Sequence, residues 1–185
     1  ELLLRGTSAI SRVYKAAHLW TVGRWIPPGV SPVQYVVQAG ALGPETLVIH
    51  AVQVDVSDIA RLVASGAAVA HCPRSNRRLR CGAAPAAEYV AAGIPVGLGT
   101  DSLASNDSLD MFAEMRSALQ VSEERAALGT VPGVRSQGRA PGAAPTDSGL
   151  GPAPLTPEAV LYMATLGGAR ALAWDHLVGS LEIGK

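Results

Sequence analysis

IPVGLGTDSLASNDSLDMFAEM, residues 94–115, rises through three apolar residues (Ile94, Val96, Leu98) to Gly99 and Thr100 and arrives at one carboxylate, Asp101. A polar loop of Ser102, Ser105, Asn106, Asp107 and Ser108 follows, and an amphipathic helix is expected from Leu109. The pattern reads as a buried strand that ends on an acid and turns through hydroxyl and amide side chains. Asp is favoured at helix starts, so Asp101 could serve only as a cap. Asn106, Asp107 and Ser108 stand nearer the expected helix start, which leaves Asp101 for chemistry.

The same alternation extends upstream. Thr46 to Val52 reads as a strand, Ser57 to Ala64 as a helix closed by Ser65-Gly66, and Ala68 to Cys72 as a second strand. Pro73 to Arg80 reads as a basic loop, Ala83 to Ala92 as a helix closed by Gly93, and Ile94 to Thr100 as the third strand. Strands that alternate with helices and carry near-continuous apolar runs predict a parallel α/β sheet with right-handed crossovers. Farther upstream, Glu1 to Leu19 reads as two short helical pieces and Val22 to Gly29 as a loop. A helix from Ser31-Pro32 through Val37 ends at Gly40. Downstream, Thr130 to Pro154 is rich in Gly, Pro, Ala and Ser without periodicity, the composition of a flexible insertion. Thr156-Pro157-Glu158 restarts a helix, which Gly167-Gly168 should end or kink.

The 185 residues suit one domain or part of a larger one. Hydrophobic content of 48% against 16% charge excludes a disordered chain. Zero net charge removes any broad attraction to nucleic acid or an anionic membrane, and 4% aromatics leaves few platforms for stacking bases. No apolar run approaches the roughly 20 residues of a membrane span. Cys72 and Cys81 form neither a disulfide framework nor a Cys-x-x-Cys knuckle. They read as two small buried or half-buried thiols in a reducing compartment. The chain starts at Glu1 and stops at a turn, Gly179 to Lys185, so it is expected to be a piece of a longer protein.

Each of the three strands places a reactive side chain at its C-terminal end: His50, His71 with Cys72, and Asp101. In a parallel barrel those ends converge on one mouth. A histidine and an aspartate meeting there could hold a divalent ion and activate its water. Alone, His50 would read as a satisfied core histidine. His71 could simply bond its own loop. Ser75 and Asn76 could orient that loop or touch a substrate. Arg77, Arg78 and Arg80 read as a solvated cluster, His18 and His176 as structural, and Glu114, set among Met111, Phe112 and Met115, as a buttress of the site.

IHAVQVD (Ile49 to Asp55), AHCPRSN (Ala70 to Asn76) and GTDSLASNDSLDMFAEMR (Gly99 to Arg116) together resemble the metal-dependent amidohydrolase superfamily. The resemblance lies with its cytosine-deaminase-like and chlorohydrolase-like branch, near adenosine-type and aminofutalosine deaminases. MATLGGARAL (Met163 to Leu172) and GSLEIGK (Gly179 to Lys185) are similar to that family's last barrel helix and its return to a small β-domain.

The resemblance implies an α/β fold, the C-terminal part of a (β/α)8 TIM-type barrel. Residues 1–129 would run from the helix after strand five through strand eight and its helix. Residues 130–154 would be the insertion and 155–185 the last barrel helices. It further implies that Asp101 and His50 are catalytic and metal-binding, and that His71, Ser75, Asn76 and Asn106 contact substrate. The implied cofactor is one divalent ion, zinc or alternatively iron.

Family members resemble one another in a second histidine three residues after the first, where this chain has Gln53. They also share a His-x-His pair and a further histidine that this chain lacks. Two ligands fall short of the three of a catalytic zinc site, so the chain by itself should bind metal weakly and not turn over. The implied reaction is hydrolytic deamination of an aminated purine-type nucleoside or related heterocycle, in a cytoplasmic enzyme. Its partners would be a small-molecule substrate and, for the longer parent, a further copy of itself, with no nucleic acid and no membrane. The alternatives are hydrolysis of a ring carbon–halogen bond and a truncated, non-catalytic homologue.

Overall fold

The computed structural model describes residues 9–18, 28–128 and 153–185, with the side chains of 9–11 left aside. The expected helical piece before residue 9, most of the loop from Val22 and nearly all of the insertion from Thr130 lie outside the described residues. Two compact units divide the chain, Glu1–Val30 and Ser31–Lys185. The first carries α1 (Ala9–Ala16).

α2 (Pro32–Gln38) starts as its sequence dictates: Ser31 Oγ accepts from the Gln34 amide at 3.0 Å, and Pro32 occupies the first turn, where no amide is needed. Then come β1 (Leu47–Ile49), α3 (Val56–Ser65), β2 (Ala68–His71), α4 (Pro73–Arg78), α5 (Ala86–Ala91) and β3 (Val96–Leu98). The strands form one parallel sheet in the order β1-β2-β3, with Ile49 beside Ala70 and His71 beside Leu98. All three therefore end on the same side.

The strands are shorter than their apolar runs. β1 stops because His50 and Ala51 turn into the left-handed region, with φ of 72° and 42°. α3 begins at Val56, one residue ahead of the expected Ser57, and is capped by Asp55, whose Oδ1 accepts from the Asp58 amide at 2.8 Å in a reciprocal capping box. The expected basic loop is in fact the helix α4. Its polar run shows no apolar periodicity, yet Pro73 opens the helix and Ser75 and Asn76 are buried beneath it. α6 (Met111–Ala127) begins two residues later than expected, capped by Asp110 rather than by Asn106, Asp107 or Ser108.

α7 (Pro157–Ala164) and α8 (Leu166–Ala171) are separated at Thr165, just ahead of the glycine pair. Those glycines serve packing instead. A Cβ on Gly97 of β3 would lie 2.8 Å from the Cα of Gly168, so helix and strand approach closely only without side chains. Leu62, Val69, Tyr89, Val96, Ala118, Val160 and Met163, each at most 3% exposed, form a single core that ties α3, α5, α6 and α7 to the sheet. Cys72 is buried, but Cys81 is exposed, contrary to expectation. No helix among the described residues is long and apolar enough to cross a membrane.

Candidate functional site

His50 directly follows β1, His71 is the last residue of β2, and Asp101 lies three residues beyond β3. Both His50 and Asp101 sit on left-handed backbone, Asp101 with φ of 58°. That conformation costs a residue bearing a Cβ about 1–2 kcal/mol, so surrounding bonds must hold it. The His50 amide donates to Ala70 O at 2.9 Å and the Ala51 amide to Ile49 O at 3.0 Å. The Tyr89 hydroxyl, from α5, donates to the Ala51 carbonyl.

Around Asp101 the donors converge. Ser75 Oγ and Ser105 Oγ each donate to Oδ2 at 2.6 Å, and the Ser102 amide donates to Oδ1 at 2.8 Å. His50 Nε2 stands 3.7 Å from the same Oδ2. The two serine hydroxyls first, then the Ser102 amide, hold the Asp101 carboxyl down to about 2, with the nearby imidazole adding a smaller pull. Asp101 is therefore a carboxylate throughout the neutral range. Its side chain keeps 27% of its surface open, enough to be reached.

A second layer supports this loop. Asn106 is 2% exposed and gives both amide hydrogens to the protein: Nδ2 donates to Thr100 O at 2.8 Å and to Glu114 Oε1 at 2.6 Å. Its Oδ1 accepts from the Asp107 amide at 2.9 Å. Asn106, expected at the substrate, thus has no hydrogen left to offer one. Glu114 is fully buried, as the buttress reading anticipated. Burial pushes its carboxyl up, while the Arg74 amide, donating to Oε2 at 3.2 Å, and Asn106 pull it back. Arg74 also bonds Ser108 Oγ at 3.0 Å and pairs with Asp107. Arg77 is different: it is exposed and pairs with Glu124 at 3.3 Å, as a solvated charge would.

The remaining expected residues divide. Ser75 is fully buried and spends its hydroxyl on Asp101. His71 is 1% exposed, and among the described residues neither ring nitrogen has a hydrogen-bond partner; the same holds for Asn76 Nδ2 and for His50 Nδ1. Desolvation, with His50 nearby, lowers the His71 imidazole to about 4, so it is neutral. Gln53 turns to the Cys81 carbonyl at 2.7 Å. The sequence reading places Ser105 in the polar loop and Arg74 in the basic stretch from Pro73 to Arg80, and passes over Tyr89. Ser105 had a signal, four residues after Asp101 in the loop. Tyr89 had none, since nothing in sequence tells a core tyrosine from one whose hydroxyl reaches a particular turn.

Two ligands that each bind one ion at about 2.0–2.2 Å lie at most about 4.4 Å apart. The 3.7 Å between His50 Nε2 and Asp101 Oδ2 satisfies that limit, and imidazole with carboxylate is a donor pair that suits zinc. The pair thus fits part of a metal site. Among the described residues, no group of three or more His, Cys, Asp or Glu gathers to complete one.

The pattern that defines the amidohydrolase family matches residues 28–185. A 5-methylthioadenosine/S-adenosylhomocysteine deaminase of Teredinibacter turnerae is 40% identical over 157 residues, 85% of this chain and 30% of that protein. An 8-oxoguanine deaminase of Pseudomonas aeruginosa is 36% identical over 157 residues, 85% of this chain and 29% of that one. An adenosine deaminase from Xanthomonas campestris, solved with bound zinc, superposes with a TM-score of 0.69 at 30% identity. That match covers 89% of this chain and 32% of the other. The zinc complex of atrazine chlorohydrolase from Arthrobacter aurescens gives 0.64 at 26% identity, over 85% of this chain and 30% of its own. The chain spans about a third of the length of these relatives. The three parallel strands and their helices are accordingly part of a TIM-type metallohydrolase barrel, and the chain belongs to the amidohydrolase family.

Proposed function

We propose that this chain supplies the His50 and Asp101 portion of the active site of a metal-dependent aminohydrolase. The enzyme would release ammonia from an aminated purine-type nucleoside or related heterocycle. The observation that carries the reading is the meeting of His50 Nε2 and an ionised Asp101 at 3.7 Å on the ends of β1 and β3. When bound, a divalent ion, zinc in this proposal with iron as the alternative, acidifies water for attack on the ring carbon bearing the amino group. Asp101 and His50 would hold that ion. With its proton affinity lowered by Ser75 and Ser105, Asp101 serves first as a ligand and second as a proton acceptor. Those serines also keep Oδ2 in one place. Ser75 therefore acts through Asp101, and His71 and Asn76, with unpartnered buried nitrogens, are the groups left to meet substrate. The deaminase relatives support the ammonia-releasing reaction. The two free thiols, with no disulfide, support a cytoplasmic setting.

The test is Asp101→Asn in a metal-loaded enzyme that contains this chain. Ammonia release should fall at least about a hundredfold, the scale of losing a positioned acid–base group. Undiminished release rejects the proposal. The likeness to atrazine chlorohydrolase favours a second reading, cleavage of a ring carbon–halogen bond by the same residues. A panel of aminated and chlorinated heterocycles, scored for ammonia against halide, separates the two.

A further inference from the structure

Glycine would fit the turns at positions 50, 51 and 101 without strain, yet the chain carries His50, Ala51 and Asp101 there, at φ of 72°, 42° and 58°. Side chains that must keep a strained backbone in place need anchors outside their own strand. We propose that Tyr89 and Asn106 are positioning residues, each pinning one of these turns independently of the other. The functional weight of the pins rests on the role proposed above for His50 and Asp101. Their physical action does not.

Tyr89 is fully buried among the core residues, so its ring has little freedom and its hydroxyl is aimed by packing. The hydroxyl reaches out of that core to the Ala51 carbonyl, in the peptide that leaves the His50-Ala51 turn. Burial raises the phenol above its usual range, which keeps it a donor at any working pH.

Asn106 performs the equivalent task on the other side. Nδ2 holds Thr100 O, the carbonyl of the peptide that enters Asp101, at 2.8 Å. Its second hydrogen is fixed by Glu114 at 2.6 Å, and Glu114 in turn accepts from the Arg74 amide at the start of α4. One pin thus comes from α5 and the other from the loop backed by α6 and α4. Among the described residues the two pins share no hydrogen bond.

Amide hydrogen exchange followed by NMR on the 185-residue chain tests this, because it reads opening residue by residue. Tyr89→Phe keeps the ring and removes only the pin. It should speed exchange at the His50 and Ala51 amides roughly two- to tenfold, the worth of one hydrogen bond, and leave Ser102 unchanged. Asn106→Ala should do the reverse, speeding Ser102, whose amide bonds Asp101 Oδ1, and sparing His50. Should that variant fail to fold, Glu114→Gln, which keeps the volume but removes the charge behind Asn106, is expected to move Ser102 in the same direction by less.

Val69, whose amide bonds Pro95 O inside the sheet, is the reference and should not change in any variant. Acceleration of Val69 together with the turns, equal acceleration at both turns, or no change at either overturns the proposal. Metal and turnover play no part in these readings. Failure of the pins and failure of the deaminase reading are therefore separate results.

Discussion

Asp101 and His71 stand at the ends of neighbouring strands, β3 and β2, and the protein treats them in opposite ways. Asp101 is partly open to solvent and receives three hydrogen bonds. His71 is 1% exposed and receives none from the described residues. One group is held charged by donors aimed at its oxygens, the other neutral by removal of water. Hydrogen bonding acts on the first and burial on the second. Glu114 confirms the distinction as an intermediate case: it is as buried as His71, but its bonds from Asn106 and Arg74 oppose the effect of burial.

The largest effect should come from breaking the first half of that contrast. Asp101→Ala leaves the buried hydroxyl of Ser75 without its acceptor and Ser105 with only the Ser102 carbonyl at 3.2 Å, at a cost of about 2–3 kcal/mol in urea unfolding. Asp101→Gly removes the same acceptor but accepts φ of 58° without strain, so it should recover about 1 kcal/mol of that loss. Equal losses for the two variants would mean that the left-handed turn stores no strain.

The second half is read by acid. The unfolded chain protonates His71 near 6.5 and the folded chain near 4, so the unfolded state takes up the proton first as pH falls. Stability is full above 6.5, declines from there toward 4 and levels off below. The loss should total about 3 kcal/mol, at about 1.4 kcal/mol per unit. Asp101, ordinarily near 3.8 and here near 2, adds a second decline in a lower window, between those values. His71→Leu should abolish the upper decline, keep the lower one and change neutral-pH stability by less than about 1 kcal/mol, because it replaces a group whose nitrogens are unpaired. A surviving upper decline would show that another histidine carries it.

Much of this was legible in the chain. The alternation of apolar runs with capped helices gives a parallel sheet, and equivalent strand-end positions bring His50 and Asp101 together before any coordinates are seen. The misreadings share one physical origin. α4 is helical without a helical pattern, because burial of Ser75 and Asn76 and packing on α6 outweigh the local signal. The family resemblance makes Asn106 a substrate contact. Only its two bonds, one of them to a buried carboxylate eight residues on, show that it is committed elsewhere. Tyr89 lies 38 residues from the carbonyl it holds, a distance that no local spacing rule spans.

The smallest effect is the sharpest control. Arg77 and Arg74 share the helix α4, and both pair with carboxylates of the α6 region. Arg77 and Glu124 are about half exposed, at 54% and 49%, where water competes for each charge and side-chain entropy opposes the pairing. Arg77→Ala should therefore cost less than about 0.5 kcal/mol, and that little should vanish in high salt. The bonds at Asp101 resemble this pair in chemistry and differ in the burial of their donors. If Arg77→Ala proved as costly as Asp101→Ala, the number of polar contacts would explain both, and the buried hydroxyls of Ser75 and Ser105 would lose their special weight. A difference of several-fold, in contrast, assigns the stability of the Asp101 loop to donors that have no water to turn to.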